Sequence, residues 1–161
     1  MALAATFAVV HPASEPASEI LFRYYVDVVG RFHGREASDD EVLRALIDEP
    51  SDDLTGDSGL LVVAYLGSEL VGCGGIRFVS DDTAELTRLF VDTSARGSGV
   101  GASIVEFLEG FVQQSHRTSI RLDTRADLVE ARRLYAKLGY QEVRAFNNEP
   151  FAEVWFEKSL R

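Results

Sequence analysis

Several kinds of site are excluded or disfavoured because the residues they need are scarce. Cys73 is the only cysteine, so the chain can form neither an internal disulfide nor a zinc site built from cysteines. The three histidines, His11, His33 and His116, are scattered and lack the spacing of a metal site or a catalytic triad. The sequence therefore predicts no metal cofactor.

Positive charge is also scarce. The chain has 16 Lys and Arg residues against 26 Asp and Glu residues, for a formal net charge of −10. Nucleic-acid binding depends on basic patches, so we do not expect a nucleic-acid partner, whereas a cationic small molecule would suit this balance. Acidity that merely keeps a protein soluble explains the charge equally well, so charge alone selects no function.

Long apolar runs are missing as well. The apolar run from Met1 to Val10 is too short to span a bilayer, and no Lys or Arg precedes Arg23, as a signal peptide would require. The chain has no repeat, low-complexity tract or linker, and its 161 residues, 46% of them apolar, can bury one core of ordinary size but hardly two. We therefore expect a single cytoplasmic domain over residues 1–161, with no membrane partner.

Hydrophobic periodicity and turn residues predict an alternation of strands and helices. Helices are expected from Ser14 or Ser18 to about Gly34 and after two capping boxes, Ser38 to Glu41 and Asp127 to Glu130. Three consecutive strands indicate an antiparallel meander, and the strand-helix-strand step after them indicates one parallel pair. The predicted strands cover residues 6–10, 59–66, 70–79, 84–91, 119–123, 140–143 and 153–158.

A glycine-rich loop follows the strand at residues 84–91. It reads Arg96-Gly97-Ser98-Gly99-Val100-Gly101-Ala102 and leads into a helix with one apolar stripe. Unpaired N–H groups at a helix N-terminus favour phosphate oxygens, and glycines allow the backbone to approach a ligand closely. With the positive charge of Arg96, the loop is predicted to bind an anionic group.

Two nucleotide-binding motifs fit this loop poorly. Residues 97–102 satisfy the dinucleotide pattern G-x-G-x-x-A. Three features argue against a dinucleotide site: residues 92–96 separate the pattern from the preceding strand, that strand follows hairpins, and fewer than sixty residues remain for further strand-helix units. A Walker loop is excluded because no Gly-Lys-Ser/Thr follows.

Residues 96–101 match the Q/R-x-x-G-x-G/A signature of the GNAT superfamily of acetyl-CoA-dependent N-acetyltransferases. The resemblance covers almost the whole chain. Residues 84–91 resemble the family's fourth strand, and residues 134–140 resemble its late helix-to-strand signature. Residues 146–151 and 155–158 are similar to small bacterial members with unassigned acceptors. One departure is Leu128, where the family commonly has an asparagine seven residues before the tyrosine.

The resemblance implies an α/β (α+β) fold with a mixed, mostly antiparallel sheet of six to seven strands and about four flanking helices. The fourth and fifth strands would be parallel and would splay apart to hold the pantetheine arm of acetyl-CoA, with its pyrophosphate on the loop and an N–H near Leu89 polarising the thioester carbonyl. Strand alternation predicts that Glu85, Leu89 and Val91 share one face. The residues implied in cofactor binding are Leu89, Phe90, Val91, Arg96, Gly97, Ser98, Gly99, Val100, Gly101 and Ala102.

Two residues are candidates for catalysis. An acceptor amine must lose a proton before attack, and Glu85 lies eleven residues before Arg96, a spacing similar to that of family members with a glutamate base. Glu85 could instead be a solvated residue or an ion-pair partner of Arg88 or Arg121. Tyr135 occupies the family's tyrosine position and would protonate the departing thiolate, although a core aromatic at helical spacing is the alternative.

The resemblance implies acetyl transfer to a primary amine of a small molecule, such as an amino acid, polyamine or drug-like amine, by direct attack in a ternary complex. The alternatives are a non-catalytic acyl-CoA sensor or interaction module, and an acetyltransferase acting on protein N-termini or lysines. Relatives are often dimers, so a homodimer is possible. The candidate acceptor-site residues, of which the aromatic ones could equally be core, are Tyr24, Tyr25, His33, Arg35, Asn147, Asn148 and Phe151.

Overall fold

The computed structural model describes residues 4–161, so the first three residues of the apolar run at the start of the chain lie outside the described part. The strands are β1 (Ala5–Val9), β2 (Gly59–Leu66), β3 (Glu69–Phe78), β4 (Thr83–Val91), β5 (Ser119–Thr124), β6 (Gln141–Val143) and β7 (Val154–Ser159). The α-helices are α1 (Glu15–His33), α2 (Asp39–Asp48), α3 (Val100–Gln114) and α4 (Val129–Lys137).

The seven strands form one mixed sheet in the order β1-β2-β3-β4-β5-β7-β6. Within residues 4–161, only β4 and β5 are parallel, and they pair over three residues, Thr83–Glu85 with Ser119–Arg121. Beyond Glu85 the two strands separate, and β5 continues to pair with β7 through Thr124. The predicted mixed sheet and the parallel pair that splays apart are therefore confirmed.

Apolar side chains bury both faces of the sheet. On one face, α3 and α4 contribute Ile104, Leu108 and Tyr135 to a cluster that includes Leu86 of β4 and Leu122 of β5. On the other face, α1 packs against β2, β3 and β4 through Ala17, Ile20, Leu21, Leu61, Val63, Cys73 and Phe90. The site described below lies between these faces, where β4 and β5 part.

One of the two predicted capping boxes forms and the other does not. At the start of α2, Ser38 Oγ accepts from the Glu41 N–H at 3.2 Å and Glu41 Oε1 accepts from the Ser38 N–H at 2.9 Å, as predicted. The predicted box at Asp127 is wrong: α4 begins after Leu128 without a side-chain cap. The Asp127 carboxylate instead accepts two hydrogen bonds from Arg125, at 2.8 and 2.9 Å, because a guanidinium fork competes effectively for it.

No helix within residues 4–161 combines the length and apolar character that a membrane span needs. No group of three or more His, Cys, Asp or Glu side chains in this range is arranged to hold a metal ion.

Candidate active site

The glycine loop forms an open cradle at the N-terminus of α3. Gly97 and Gly99 have φ angles of 81° and 86°, which side-chain-bearing residues rarely adopt, and a Cβ built on either would meet no atom within 4 Å. Among residues 4–161, none of the backbone N–H groups from Gly97 to Ala102 donates a hydrogen bond. Six successive free donors at the positive end of a helix dipole are suited to bind a diphosphate.

Arg96 is held at the edge of this cradle. Its Nε donates to the Val91 carbonyl at 2.9 Å, and its Nη2 lies 3.3 Å from Asp27 Oδ2 on α1. Its Nη1 is 4.0 Å from Glu130 Oε1 on α4, and Glu130 also accepts from Arg31 of α1. A chain of ion pairs thus joins both helices to the loop, and a bound diphosphate would compete with two carboxylates for Arg96.

A β-bulge in β4 changes which side chains face the site. Arg88 has a φ angle of 56°, and the pairing with β3 shifts by one residue, from Gly75 opposite Thr87 to Cys73 opposite Phe90. Thr87 and Arg88 therefore both lie on the α1/α2 side, where Arg88 reaches the end of α2.

The predicted common face of Glu85, Leu89 and Val91 is therefore wrong. Leu89 and Val91 pack against the α3 cluster, whereas Glu85 lies between its inward-facing neighbours Ala84 and Leu86 and points to the opposite face. The extra residue of the bulge inverts the alternation between Glu85 and Leu89.

Buried polar contacts stabilise this bulge. The Cys73 thiol donates to the Arg88 carbonyl at 3.1 Å, and burial raises the pKa of Cys73 to about 12. Arg88 is 9% exposed, and its guanidinium donates to Ser51 Oγ at 3.2 Å, Thr87 Oγ1 at 2.8 Å and the Glu49 carbonyl at 3.0 Å. Cys73 is therefore a buried supporting residue of the strand.

Glu85 is half-buried on the α1/α2 face, at the last paired position of β4 and β5. Arg121 Nε lies 3.3 Å from Glu85 Oε2, and Arg77 Nη1 is 4.0 Å from Glu85 Oε1. Burial raises the pKa of Glu85, while Arg121 opposes that shift. The structure thus contains the ion pair with Arg121 that the sequence allowed as an alternative, and the carboxyl is also a better proton acceptor than an exposed glutamate.

Tyr135 lies in α4 and is 6% exposed. Its ring centroid is 5.8 Å from those of Tyr140 and Phe156. Burial raises the pKa of Tyr135, and the charges of Tyr24 and Asp123 add to the shift. The phenol therefore stays protonated at neutral pH, and its ring also serves the core.

The candidate acceptor-site residues fall into three places. Tyr25 is in the core, with its hydroxyl 3.4 Å from the Glu49 carbonyl, whereas Tyr24 packs edge-on to Phe90 at 6.2 Å and its pKa is raised by burial to about 12. At the end of α1, His33 and Arg35 both contact Glu41, at 2.9 Å each. The other three lie in the segment between β6 and β7. Asn147 contacts Asp123 of β5, and Asn148 makes no side-chain hydrogen bond within residues 4–161. The exposed Phe151 packs edge-on against Phe32, with 5.3 Å between ring centroids.

Asp123 is a site residue that the sequence reasoning missed. It follows Arg121 by two residues on β5 and lies where β5 leaves β4, with one carboxylate oxygen bonded to Asn147 Nδ2 at 2.8 Å. A signal was available, since polar residues at the carboxyl end of a parallel strand often line a ligand site. The contact with Asn147 depends on the β5–β7 pairing and could not be read from the sequence.

The family model described as "Acetyltransferase (GNAT) family" matches residues 18–140. The chain belongs to the GNAT family of acetyltransferases. It is also 30% identical over 123 residues to the streptothricin acetyltransferase of Escherichia coli, which covers 76% of this chain and 71% of that protein.

Solved structures share the fold of this GNAT acetyltransferase. A GNAT-family acetyltransferase from Staphylococcus aureus superposes with a TM-score of 0.78 at 14% identity, over 98% of this chain and all of that one. A GNAT-family acetyltransferase from Elizabethkingia anophelis with acetyl-CoA bound superposes with a TM-score of 0.66 at 14% identity, over 97% and 98% of the two chains. This GNAT protein is therefore an acyltransferase by family, and a structural neighbour binds acetyl-CoA.

Proposed function

We propose that this GNAT acetyltransferase transfers an acetyl group from acetyl-CoA to a primary amine of a small molecule by direct attack in a ternary complex. The observation that carries the proposal is the row of free N–H groups from Gly97 to Ala102, which lies beside Val91 at the end of β4 that has parted from β5. A diphosphate on that row would leave the attached arm free to follow the open edge of β4.

Each part of the cradle has a role in holding the cofactor. The N–H groups of residues 97–102 and the Arg96 guanidinium bind the pyrophosphate, and the backbone of residues 89–91 holds the pantetheine arm. Bound acetyl-CoA supplies the thioester carbonyl that the amine attacks. The Leu89 N–H stabilises the negative charge that develops on the carbonyl oxygen.

Glu85 removes the proton that the acceptor must lose. Amines with an unshifted pKa near 10 are ammonium ions at neutral pH and have no free lone pair. Because burial raises the pKa of Glu85, the carboxylate binds a proton more readily than a solvated one, and a water molecule relays the transfer. Arg121 Nε, 3.3 Å from Glu85 Oε2, orients the carboxylate.

Tyr135 supplies a proton to the departing thiolate. Its raised pKa keeps the hydroxyl protonated at neutral pH, and Tyr135 packs against the sheet from the side of α3 and α4. The two proposed catalytic groups thus approach from opposite faces of the sheet.

Two observations support a small cationic amine as acceptor. The net charge of −10 favours cationic ligands. A protein that is 30% identical is named as a streptothricin acetyltransferase, so streptothricin is the first acceptor to test. The proposed contacts to the acceptor come from Tyr24, His33, Arg35, Asn147, Asn148 and Phe151, whereas Tyr25 is buried in the core.

Two measurements test the proposal. Acetyl-CoA should raise the melting temperature, because a ligand bound only by the folded state stabilises it. Thiol release should then occur with acetyl-CoA and streptothricin, amino acids or polyamines, and should be lost in the Glu85→Gln, Tyr135→Phe double variant. A rise in melting temperature without thiol release from any amine would favour a non-catalytic acyl-CoA-binding protein, and no rise would refute the proposal.

A further inference from the structure

Asp123 is anchored by a short relay of hydrogen bonds. The Trp155 Nε1–H donates to Asn147 Oδ1 at 2.9 Å, and Asn147 Nδ2 donates to Asp123 Oδ2 at 2.8 Å. Because an indole N–H can only donate, it fixes the orientation of the amide and directs the amide nitrogen at the carboxylate. Trp155 and Asp123 are also opposite each other in the β5–β7 ladder, so the relay rests on regular strand pairing.

The relay leaves part of the carboxylate unused. Within residues 4–161, Asp123 Oδ1 accepts no hydrogen bond and the carboxylate has no ion-pair partner within 4.0 Å. Glu85, two positions back on the neighbouring strand, differs in this respect because Arg121 and Arg77 both approach it. The Asp123 carboxylate is therefore half-buried, oriented and without a compensating cation.

Its location matches the place where an acceptor must enter. Ile120 and Leu122 of β5 are in the core beneath α3 and α4, so Arg121 and Asp123 face the α1/α2 side, as Glu85 does. Asp123 lies beyond the last residue pair of β4 and β5, where the strands have parted. Its negative charge contributes to the raised pKa values of Glu85, Glu49 and Tyr135.

We propose that Asp123 binds the ammonium group of the acceptor and that Asn147 and Trp155 are positioning residues that aim its carboxylate. This inference rests on the proposed amine-acetylating function and names the residue that receives the amine. The ammonium donates to Asp123 Oδ1, which holds the nitrogen near Glu85 for proton removal. An oriented carboxylate without an arginine partner attracts a cation more strongly than the paired Glu85 does.

The chain offers a direct reporter, because Trp155 is its only tryptophan and gives a single indole N–H resonance. We would titrate the isotope-labelled full chain, saturated with CoA, with n-propylammonium chloride and follow that resonance. A saturable shift is expected with n-propylammonium and not with n-propanol or with sodium chloride at matched ionic strength. No saturable shift in the wild-type chain would overturn the inference.

Three variants complete the test. Asp123→Asn keeps the shape and can still accept from Asn147, and it should weaken n-propylammonium binding by roughly tenfold or more, since a hydrogen bond to a charged group is lost. Asn147→Ala should weaken binding by a smaller factor, and the exposed Glu142→Gln should bind as the wild type does. Equal affinity of the wild type and Asp123→Asn would overturn the inference.

Turnover separates this inference from the proposed function. With an amine that the wild type acetylates, Asp123→Asn should raise the KM for the amine and leave the KM for acetyl-CoA unchanged, a split that general unfolding would not produce. If acetyl-CoA fails to raise the melting temperature or no amine releases thiol, the proposed function fails, whereas saturable n-propylammonium binding that depends on Asp123 would still stand.

Discussion

Replacing Arg88 with methionine tests how the bulge in β4 is held. Methionine retains most of the apolar stem but removes three hydrogen bonds, to Ser51 Oγ, Thr87 Oγ1 and the Glu49 carbonyl. Hydrogen bonds that involve a charged group contribute about 1.5–3 kcal/mol each when one partner is removed. Arg88 has no carboxylate within 4.0 Å among residues 4–161, so no ion pair compensates the desolvation penalty of its buried charge. Methionine removes this penalty, which offsets much of the stability lost with the three hydrogen bonds.

We therefore expect Arg88→Met to lower the free energy of unfolding by about 3 kcal/mol. For a chain of this size that corresponds to a fall in melting temperature of roughly 6–12 °C. Differential scanning calorimetry would measure it, with Arg133→Met as the matched control, because Arg133 is exposed and makes no side-chain hydrogen bond within residues 4–161. Equal melting temperatures of the two variants would refute the reasoning.

The same variant has a functional consequence. The bulge directs Leu89 toward the α3 side, so relaxing it would displace the N–H proposed to stabilise the oxyanion. The kcat of Arg88→Met should therefore fall at temperatures where the variant is still folded. Arg88→Lys keeps the charge but not the planar fork, and should show an intermediate loss of stability. An unchanged kcat in folded Arg88→Met would separate the bulge from catalysis.

Four further predictions follow from other features of the site. Gly99→Ala should cost about 1–2 kcal/mol of stability because the φ angle of Gly99 is 86°, and it should weaken acetyl-CoA binding in calorimetry. The control Gly110→Ala, within α3, should not weaken binding, because a Cβ at Gly110 meets no atom within 4 Å. Since burial raises the pKa of Cys73 to about 12, a thiol reagent at mildly alkaline pH should modify it only after denaturation, and rapid labelling of the native chain would contradict its burial. Since burial raises the pKa of Glu85, the fall of kcat/KM toward low pH should be centred above the usual glutamate value, and Glu85→Gln should abolish that dependence if Glu85 is the base. Tyr135→Phe should lower turnover and leave acetyl-CoA affinity unchanged, and an unaltered rate would remove Tyr135 from the mechanism.

Local patterns in the sequence accounted for most of the fold. Hydrophobic periodicity predicted the seven strands found within residues 4–161 to within one residue at each end, and the reciprocal cap at Ser38 and Glu41 formed as expected. The glycine loop was located because its conformation depends on residues adjacent in sequence. These features need few contacts between distant parts of the chain.

The errors came from contacts between distant residues. The cap expected at Asp127 did not form because Arg125 took the carboxylate, and strict strand alternation failed where the β3–β4 register slips around Arg88. Asp123 was overlooked because the orientation of its carboxylate depends on a hydrogen bond from Asn147, which the pairing of β5 with β7 brings close. A period-two pattern contains no information about a bulge or about the position of a strand in the sheet.

The insertion of β7 between β5 and β6 affects how the protein is made. On the ribosome, β4 can offer β5 only three paired residues, and the other edge of β5 has no neighbour until β7 has been translated. Until then the nascent chain presents an open strand edge, the kind of edge that invites pairing with other chains. The late half of the sheet should therefore depend on chaperone protection during translation more than the early meander does.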